Sequence, residues 1–389
     1  MRERLSVTRR GFMEGMAAVA GGLVLSPAAA RAAAVLERQG GGPAFTGRPF
    51  AADDYDSYAK LAANENPYGP SDTVMQAMTS AFKYANRYGY PDGNILAEIA
   101  RFHEVDPSQV LLGAGSGEIL TVATLALLAG GRKVIGVDPT FHTVYQYATG
   151  IHADSIRLPL LADASQDIPA MIRATRQNWR DVGLVYLCNP NNPTGRIISA
   201  RDVKALLDGI PEDVPVLIDE AYHHFVEDPS YASSIPYVKE GRPVIISRTF
   251  SKISGLAGMR LGYAIAPPAL IERMRAHSVA SINAIVKWGG VAALKDTESQ
   301  DRVRRVNNEL RKKTAAAVQA MGYDVIPSET NFLMINIKRP VVPVIESFKA
   351  KGVLVGRPFP PMTNHLRVSI GTAAEMERFM SGFKQLFSA

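Results

Sequence analysis

Apolar residues fall into short unbroken runs through much of this chain, at 109–112, 133–137, 183–187, 214–218 and 244–247, each closed by turn-forming residues. Runs of Val, Ile and Leu without polar alternation predict strands covered on both faces, the pattern of a parallel sheet lying between helices. Stretches with helical spacing separate them, including an apolar helix over 119–128 that follows a glycine-rich turn. The alternation predicts an α/β fold with a mostly parallel sheet flanked by helices. A helix-rich stretch from about 267 to 320 leads to four more runs, at 323–326, 332–337, 353–355 and 366–370. These predict a second, smaller sheet in an α+β C-terminal domain. No internal repeat is visible, and regular structure is expected from about Leu61 onward.

The first 32 residues depart from this pattern. They read Thr8-Arg9-Arg10-Gly11-Phe12-Met13, then an apolar run over 16–25, then small residues around Ala30-Arg31-Ala32. That resembles a twin-arginine export signal, with a mature chain of about 357 residues starting near Ala33 and a periplasmic or otherwise exported destination. The apolar run is too short for a stable membrane span. Residues 33–80 are expected to form an N-terminal arm on the small domain or on a partner subunit, with 33–60, rich in Gly, Ala and Pro, irregular. The large domain is placed at 81–278 and the small one at 279–389.

Composition narrows the function. The 389 residues are 47% hydrophobic and 21% charged, which suits two packed domains. Net charge is +6, but five arginines against two glutamates put half of it into the signal segment. No basic cluster interleaved with aromatics supports nucleic-acid binding. One cysteine, Cys188, excludes an internal disulfide, and no spacing of His, Cys or acids supports a metal site. The adjacent His223 and His224 are expected to point apart in structural roles.

Open α/β sheets bind ligands beyond the carboxyl ends of their strands. Four such ends carry polar residues. Gly113-Ala114-Gly115-Ser116-Gly117-Glu118 runs into the 119–128 helix, a layout that aims amides at an anion. A dinucleotide fingerprint competes there, but its third glycine position holds Glu118, so a single phosphate fits better. The others are Cys188-Asn189-Pro190-Asn191-Asn192-Pro193-Thr194-Gly195, Ile218-Asp219-Glu220-Ala221-Tyr222, and Arg248-Thr249-Phe250-Ser251-Lys252 with Arg260 eight positions on. Taken alone, the second reads as a tight loop and Asp219 as a helix N-cap.

With Asn64-Glu65-Asn66-Pro67-Tyr68-Gly69-Pro70, Tyr90-Pro91-Asp92, Pro139-Thr140-Phe141 and Leu366-Arg367-Val368-Ser369-Ile370-Gly371-Thr372, the series resembles the fold type I pyridoxal phosphate (PLP) enzymes. Within them it is most similar to class I/II aminotransferases of the histidinol-phosphate aminotransferase group. The resemblance implies an aspartate aminotransferase-like large domain built on a seven-stranded sheet, and PLP as cofactor. It implies that Lys252 carries PLP as a Schiff base and later moves the Cα proton, giving ping-pong transfer between an amino acid or amino alcohol phosphate and a 2-oxo acid. Asp219 would face the ring nitrogen, Asn192 and Tyr222 the ring hydroxyl oxygen, and Phe141 the ring face. The phosphate would take Gly115, Ser116, Gly117, Thr249, Ser251 and Arg260.

On the substrate side the resemblance points to Arg367 as the clamp for a carboxylate or phosphate, with Asn331 and Tyr68 nearby. Arg357 departs from the pattern, because Gly356 stands between it and the preceding strand. Tyr90, with Tyr88 as the competing candidate, would reach the PLP phosphate of a neighbouring subunit, which implies a homodimer with shared sites. A lyase or decarboxylase on the same fold stays open beside the aminotransferase. A non-catalytic exported binding protein is the third reading, and the Lys252, Asp219 and Arg260 set argues against it.

Overall fold

The computed structural model describes residues 52–278 and 281–387. The export-signal reading of residues 1–32 therefore lies outside the described residues, as do residues 33–51 of the expected arm.

The unbroken apolar runs become strands because each can cover both of its faces. In chain order the strands are β1 (Ala59–Leu61), β2 (Val110–Gly113), β3 (Lys133–Asp138), β4 (Ser155–Pro159), β5 (Val182–Cys188), β6 (Val216–Asp219), β7 (Val244–Thr249), β8 (Gly262–Ile265), β9 (Asp324–Ile326), β10 (Phe332–Asn336), β11 (Val353–Val355) and β12 (His365–Ser369). Among the described residues a seven-stranded sheet runs in the order β2-β8-β7-β6-β5-β3-β4. From β7 through β4 every neighbour is parallel, whereas β8 is antiparallel to both β7 and β2. Every residue of β5, β6 and β7 is buried.

Alternate side chains of these strands enter two cores. Val185, Leu187, Val216, Ile218, Val244 and Ile246 pack with the helices Ile168–Gln177 and Ala200–Gly209. Leu184, Tyr186, Leu217 and Ile245 pack on the opposite face against the helix Ser116–Leu128. Each such aliphatic side chain contributes roughly 1.5–3 kcal/mol relative to exposure. The rigid sheet that results fixes the ends of β5, β6 and β7 side by side.

Two outcomes differ from the sequence expectation. Among the described residues regular structure is already present before Leu61, with a helix at Ala52–Ser57 and then β1. The run at 353–355 does not join the other three small-sheet strands: β9, β10 and β12 form an antiparallel sheet, while β11 pairs in parallel with β1. Ala59 and Leu61 are fully buried, and both enter a third core with Val353, Val355, Phe348, Phe379 and Phe383. Three-residue strands are too short to show a period, so only this tertiary pairing defines β1.

Candidate active site

The carboxyl ends of β5, β6 and β7 deliver Asn192, Asp219 and Lys252 to one place. The chain after β7 must reverse to enter antiparallel β8, and that reversal, residues 250–261, holds Ser251, Lys252 and Arg260. Lys252 Nζ donates to the Ala63 carbonyl at 3.2 Å and lies 5.6 Å from the centre of the Tyr222 ring. Burial, helped by Arg367 and Arg260 and opposed by Glu65 and Asp219, pushes its amine down to about 8. Asp219 is only 2% exposed, and its Oδ1 has no hydrogen-bond partner. Burial pushes this carboxyl up to about 7, with Ser247, the Ala221 amide and Lys252 pulling it the other way. A buried carboxylate oxygen without a donor is costly; the protonated ring nitrogen of PLP is a donor of the right kind.

A cradle for a phosphate stands on the other side of Lys252. Gly115 caps the helix Ser116–Leu128 without any side-chain cap, at φ 82°. Its own amide is turned back to Gly113 O at 2.8 Å, and the Ala114 amide is taken by Glu118 Oε2 at 2.6 Å, so the amides of Ser116 and Gly117 open the helix. Arg260, itself at φ 57°, donates to Ala257 O at 2.8 Å, Ala114 O at 3.3 Å and Ser251 Oγ at 3.4 Å. Thr249 Oγ1 and Ser251 Oγ are 2.9 Å apart. Two hydroxyls, one guanidinium and a helix N-terminus thus converge, as an anion requires. Gly262 pairs with both Gly113 and Thr249 across β8, and a Cβ there would strike the backbone of Gly115 and Ser116. A Cβ on Gly115 would collide with the Arg260 guanidinium. We expect Gly115→Ala to weaken PLP binding tenfold or more, read by fluorescence titration, because it combines a positive φ with that collision; unchanged affinity would remove Gly115 from the cradle.

Between these two lies a hydrogen-bonded row. Tyr222 Oη accepts from Asn64 Nδ2 at 3.0 Å and from Asn192 Nδ2 at 3.4 Å. Asn192 Oδ1 accepts from Arg367 Nη1 at 2.8 Å, and Arg367 Nη2 donates to Ala62 O at 2.6 Å. Burial raises the Tyr222 hydroxyl's affinity for its proton and lowers Arg367 to about 10. Arg367 Nε is buried and unpartnered, a donor left over for an incoming anion. Its guanidinium lies 4.6 Å from the Phe359 ring centre, over which Arg357 also stands at 4.4 Å.

Arg357 is half-buried rather than a plain surface residue; it donates to Pro358 O and faces His142 Nδ1 at 3.3 Å. The extra Gly356 has a packing reason. Its amide donates to Arg367 O at 2.8 Å, and a Cβ would press on Arg367 at 2.9–3.1 Å. Phe141 is half-buried and packs on the second of the two sheet cores, and its carbonyl accepts from Tyr186 Oη at 3.2 Å. Thr140 and Asn191 bond at 2.7 Å, tying its turn to the Asn192 loop. Asn331 spends its amide on the carbonyls of Asn64 and Glu65, so it holds that segment, with Oδ1 unpartnered. Tyr68 lines a pocket behind Ile253 with Asn66 and Arg302 and is half exposed. Tyr90 and Tyr88 are 79% and 99% exposed, and no side-chain hydrogen bond ties either to Lys252 and its neighbours.

The site also contains residues that the strand-end reading did not assign. Asn64, at φ 56° and 1% exposed, bonds Tyr222, and its Oδ1 accepts from Ser369. A buried asparagine in a left-handed turn is poorly visible in one sequence, although its Asn-Glu-Asn-Pro setting marks a turn. His223 and His224 do not point apart: their rings lie 3.6 Å apart at 39°. A tight turn at His223–Phe225, rather than a strand, places them on one side.

Residues 56–383 match the family model "Aminotransferase class I and II". The chain is 34% identical over 331 residues to the histidinol-phosphate aminotransferase of Symbiobacterium thermophilum, covering 84% of this chain and 89% of that one. With the enzyme of the same description from Moorella thermoacetica it shares 35% identity over 337 residues, 85% of each chain. The crystal structure of histidinol-phosphate aminotransferase from Sinorhizobium meliloti in complex with pyridoxal-5'-phosphate superposes with a TM-score of 0.79 at 23% identity, covering 89% of this chain and 97% of that one. The orphaned Asp219 oxygen, the Gly115 cradle and the Lys252 amine fit that cofactor, and the chain belongs to the class I and II aminotransferases, as a PLP-dependent transferase of amino groups.

Proposed function

We propose that Lys252 holds the cofactor and shuttles the substrate's Cα proton, while Asp219 holds the ring nitrogen and Arg367 clamps the anionic group of an amino acid or amino alcohol phosphate. PLP, when bound, supplies the electron-accepting ring that makes loss of that proton feasible. The residues divide the remaining work. Asp219 keeps a positive charge favourable at the ring nitrogen; Tyr222 and Asn192 offer hydrogen bonds to the ring oxygen. Lys252, with its amine pushed down to about 8, can take and return a proton near neutral pH. The observation that carries this reading is the convergence of the Lys252 amine with two buried orphan atoms, Asp219 Oδ1 and Arg367 Nε.

The same reading has the enzyme exported through the twin-arginine route, which Arg9-Arg10 and the apolar run after them support. It also has a homodimer, in which the solvent-facing Tyr90 reaches the partner's cofactor phosphate. The test is a screen of amino donors against the purified holoenzyme, followed by Arg367→Ala on the best donor. Loss of one or two charge-assisted hydrogen bonds raises KM about 100-fold with a smaller change in kcat. An unchanged KM would remove Arg367 from the substrate, and turnover without any 2-oxo acid acceptor would point to a lyase instead.

A further inference from the structure

Directly behind Asp219 lies a buried ion pair that the proposed chemistry does not use. Glu220 is 1% exposed and Arg248 5%. Arg248 donates to Glu220 Oε2 through Nε at 3.0 Å and Nη2 at 2.6 Å, and Nη2 also reaches Ser233 Oγ at 2.9 Å. Glu220 Oε1 accepts from the Ser234 amide at 2.7 Å. Arg248 Nη1 meets His223 Nε2 at 2.6 Å, and burial beside Arg248 keeps that imidazole neutral and able to accept. Every atom of the pair's heads is used. The pair also joins the two strand ends that matter most: Glu220 follows Asp219 at the end of β6, and Arg248 precedes Thr249 at the end of β7.

We propose that Arg248 and Glu220 are positioning residues for PLP: they lock the ends of β6 and β7 together, and Arg248 cancels the Glu220 charge so that Asp219 can remain ionised opposite the ring nitrogen. The geometry explains why both charges are present. A lone glutamate next to Asp219 would repel its negative form, and a lone arginine would favour it. Glu220 does disfavour the charged form of Asp219, while Lys252 favours it. Asp219 is also felt by Tyr222 after β6 and by Tyr186 and Cys188 of β5, all neutral at ordinary pH. A cancelled pair costs desolvation but fixes the placement of the strand ends, and it leaves the local field to Lys252 and the cofactor.

The inference rests on the assignment of Asp219 to the ring nitrogen, and its test separates the two. PLP affinity of the full cofactor-free chain is measured against pH by equilibrium dialysis for the parent and for Asp219→Asn, Arg248→Met, Glu220→Gln and the Arg248→Met/Glu220→Gln double variant. In the parent, affinity falls as acid protonates Asp219. Arg248→Met moves that midpoint up by about one pH unit, Glu220→Gln moves it down by a similar amount, and the double variant returns it toward the parent. A merely structural pair would weaken binding in both single variants without opposite shifts, and that result overturns the proposal. If Arg248→Met does not fold, the downward shift in Glu220→Gln and its reversal in Glu220→Gln/Arg248→Gln carry the same decision. Should Asp219→Asn leave the midpoint in place, the ring-nitrogen assignment fails; should it abolish the midpoint while the pair variants shift nothing, only the present proposal fails.

Discussion

Lys252→Ala is expected to lower amino-group transfer by a factor on the order of 10⁴ or more, since one side chain performs two duties. In the proposed mechanism its amine is the nucleophile that captures the cofactor, and once displaced it would become the base beside the substrate's Cα. Burial is what fits it for both. An ordinary lysine at 10.5 is almost wholly charged at neutral pH, whereas Lys252, pushed down to about 8, presents a substantial neutral fraction. Lys252→Arg should fail almost as badly, because a guanidinium keeps its proton. The checks are steady-state turnover and mass spectrometry after borohydride reduction, which should find the cofactor joined to the peptide containing residue 252 in the parent and absent from the variant. Full turnover by Lys252→Ala would end the assignment.

Asp219→Asn carries the second large effect, and its two parts run in opposite directions. Activity should fall about 10²–10³-fold, the usual cost of deleting a preorganised charge at a reacting centre. Stability of the cofactor-free chain should rise. The Asp219 carboxyl goes from an ordinary 3.8 to about 7 on folding, so the fold favours its protonated form. Such a group stabilises the fold fully below 3.8, loses that contribution as pH climbs toward 7, and leaves a buried charge above it. At pH 8 the penalty removed by asparagine is a few kcal/mol, up to roughly 4. Thermal unfolding of cofactor-free parent and variant at pH 5 and pH 8 measures this: the variant's advantage should be larger at pH 8. An advantage that shrinks with rising pH would mean that Asp219 is not the strained group proposed. Adding PLP should reverse the ranking, since the parent then gains a partner for Oδ1 and the variant does not.

The strands buried on both faces were legible in the chain because their unbroken apolar runs leave no other home. β5, β6 and β7 are of this kind, and so the strand ends carrying Asn192, Asp219 and Lys252 could be named. β4, Ser155-Ile156-Arg157-Leu158-Pro159, was not, since it lies at the sheet edge and alternates with polar residues. β8 was hidden for another reason: Gly262-Tyr263-Ala264-Ile265 follows a glycine-rich reversal and looks like its continuation. β1 has three residues and exists only through β11. In the site, groups carried on strand ends were found, whereas contributions from backbone and loop segments were not: the Ala63 carbonyl on Lys252, Asn64 on Tyr222, and the Gly356 backbone against Arg367. The Glu220–Arg248 pair escaped notice because two charged residues beside functional ones read as solvated until their burial is known.

The pairing of β1 with β11, together with the bond from the Asn64 amide to Ser369 Oγ across 305 residues of sequence, sets the order in which this molecule can come into being. A ribosome could complete most of the seven-stranded sheet while the chain is still growing, but the segment bearing Ala63 and Asn64 would lack the pairing of β1 with β11 and its bond to Ser369 until β11 and β12 had emerged. The pocket around Lys252 is therefore closed by the two ends of the described fold meeting, and competence for catalysis is among the last properties the newborn chain acquires.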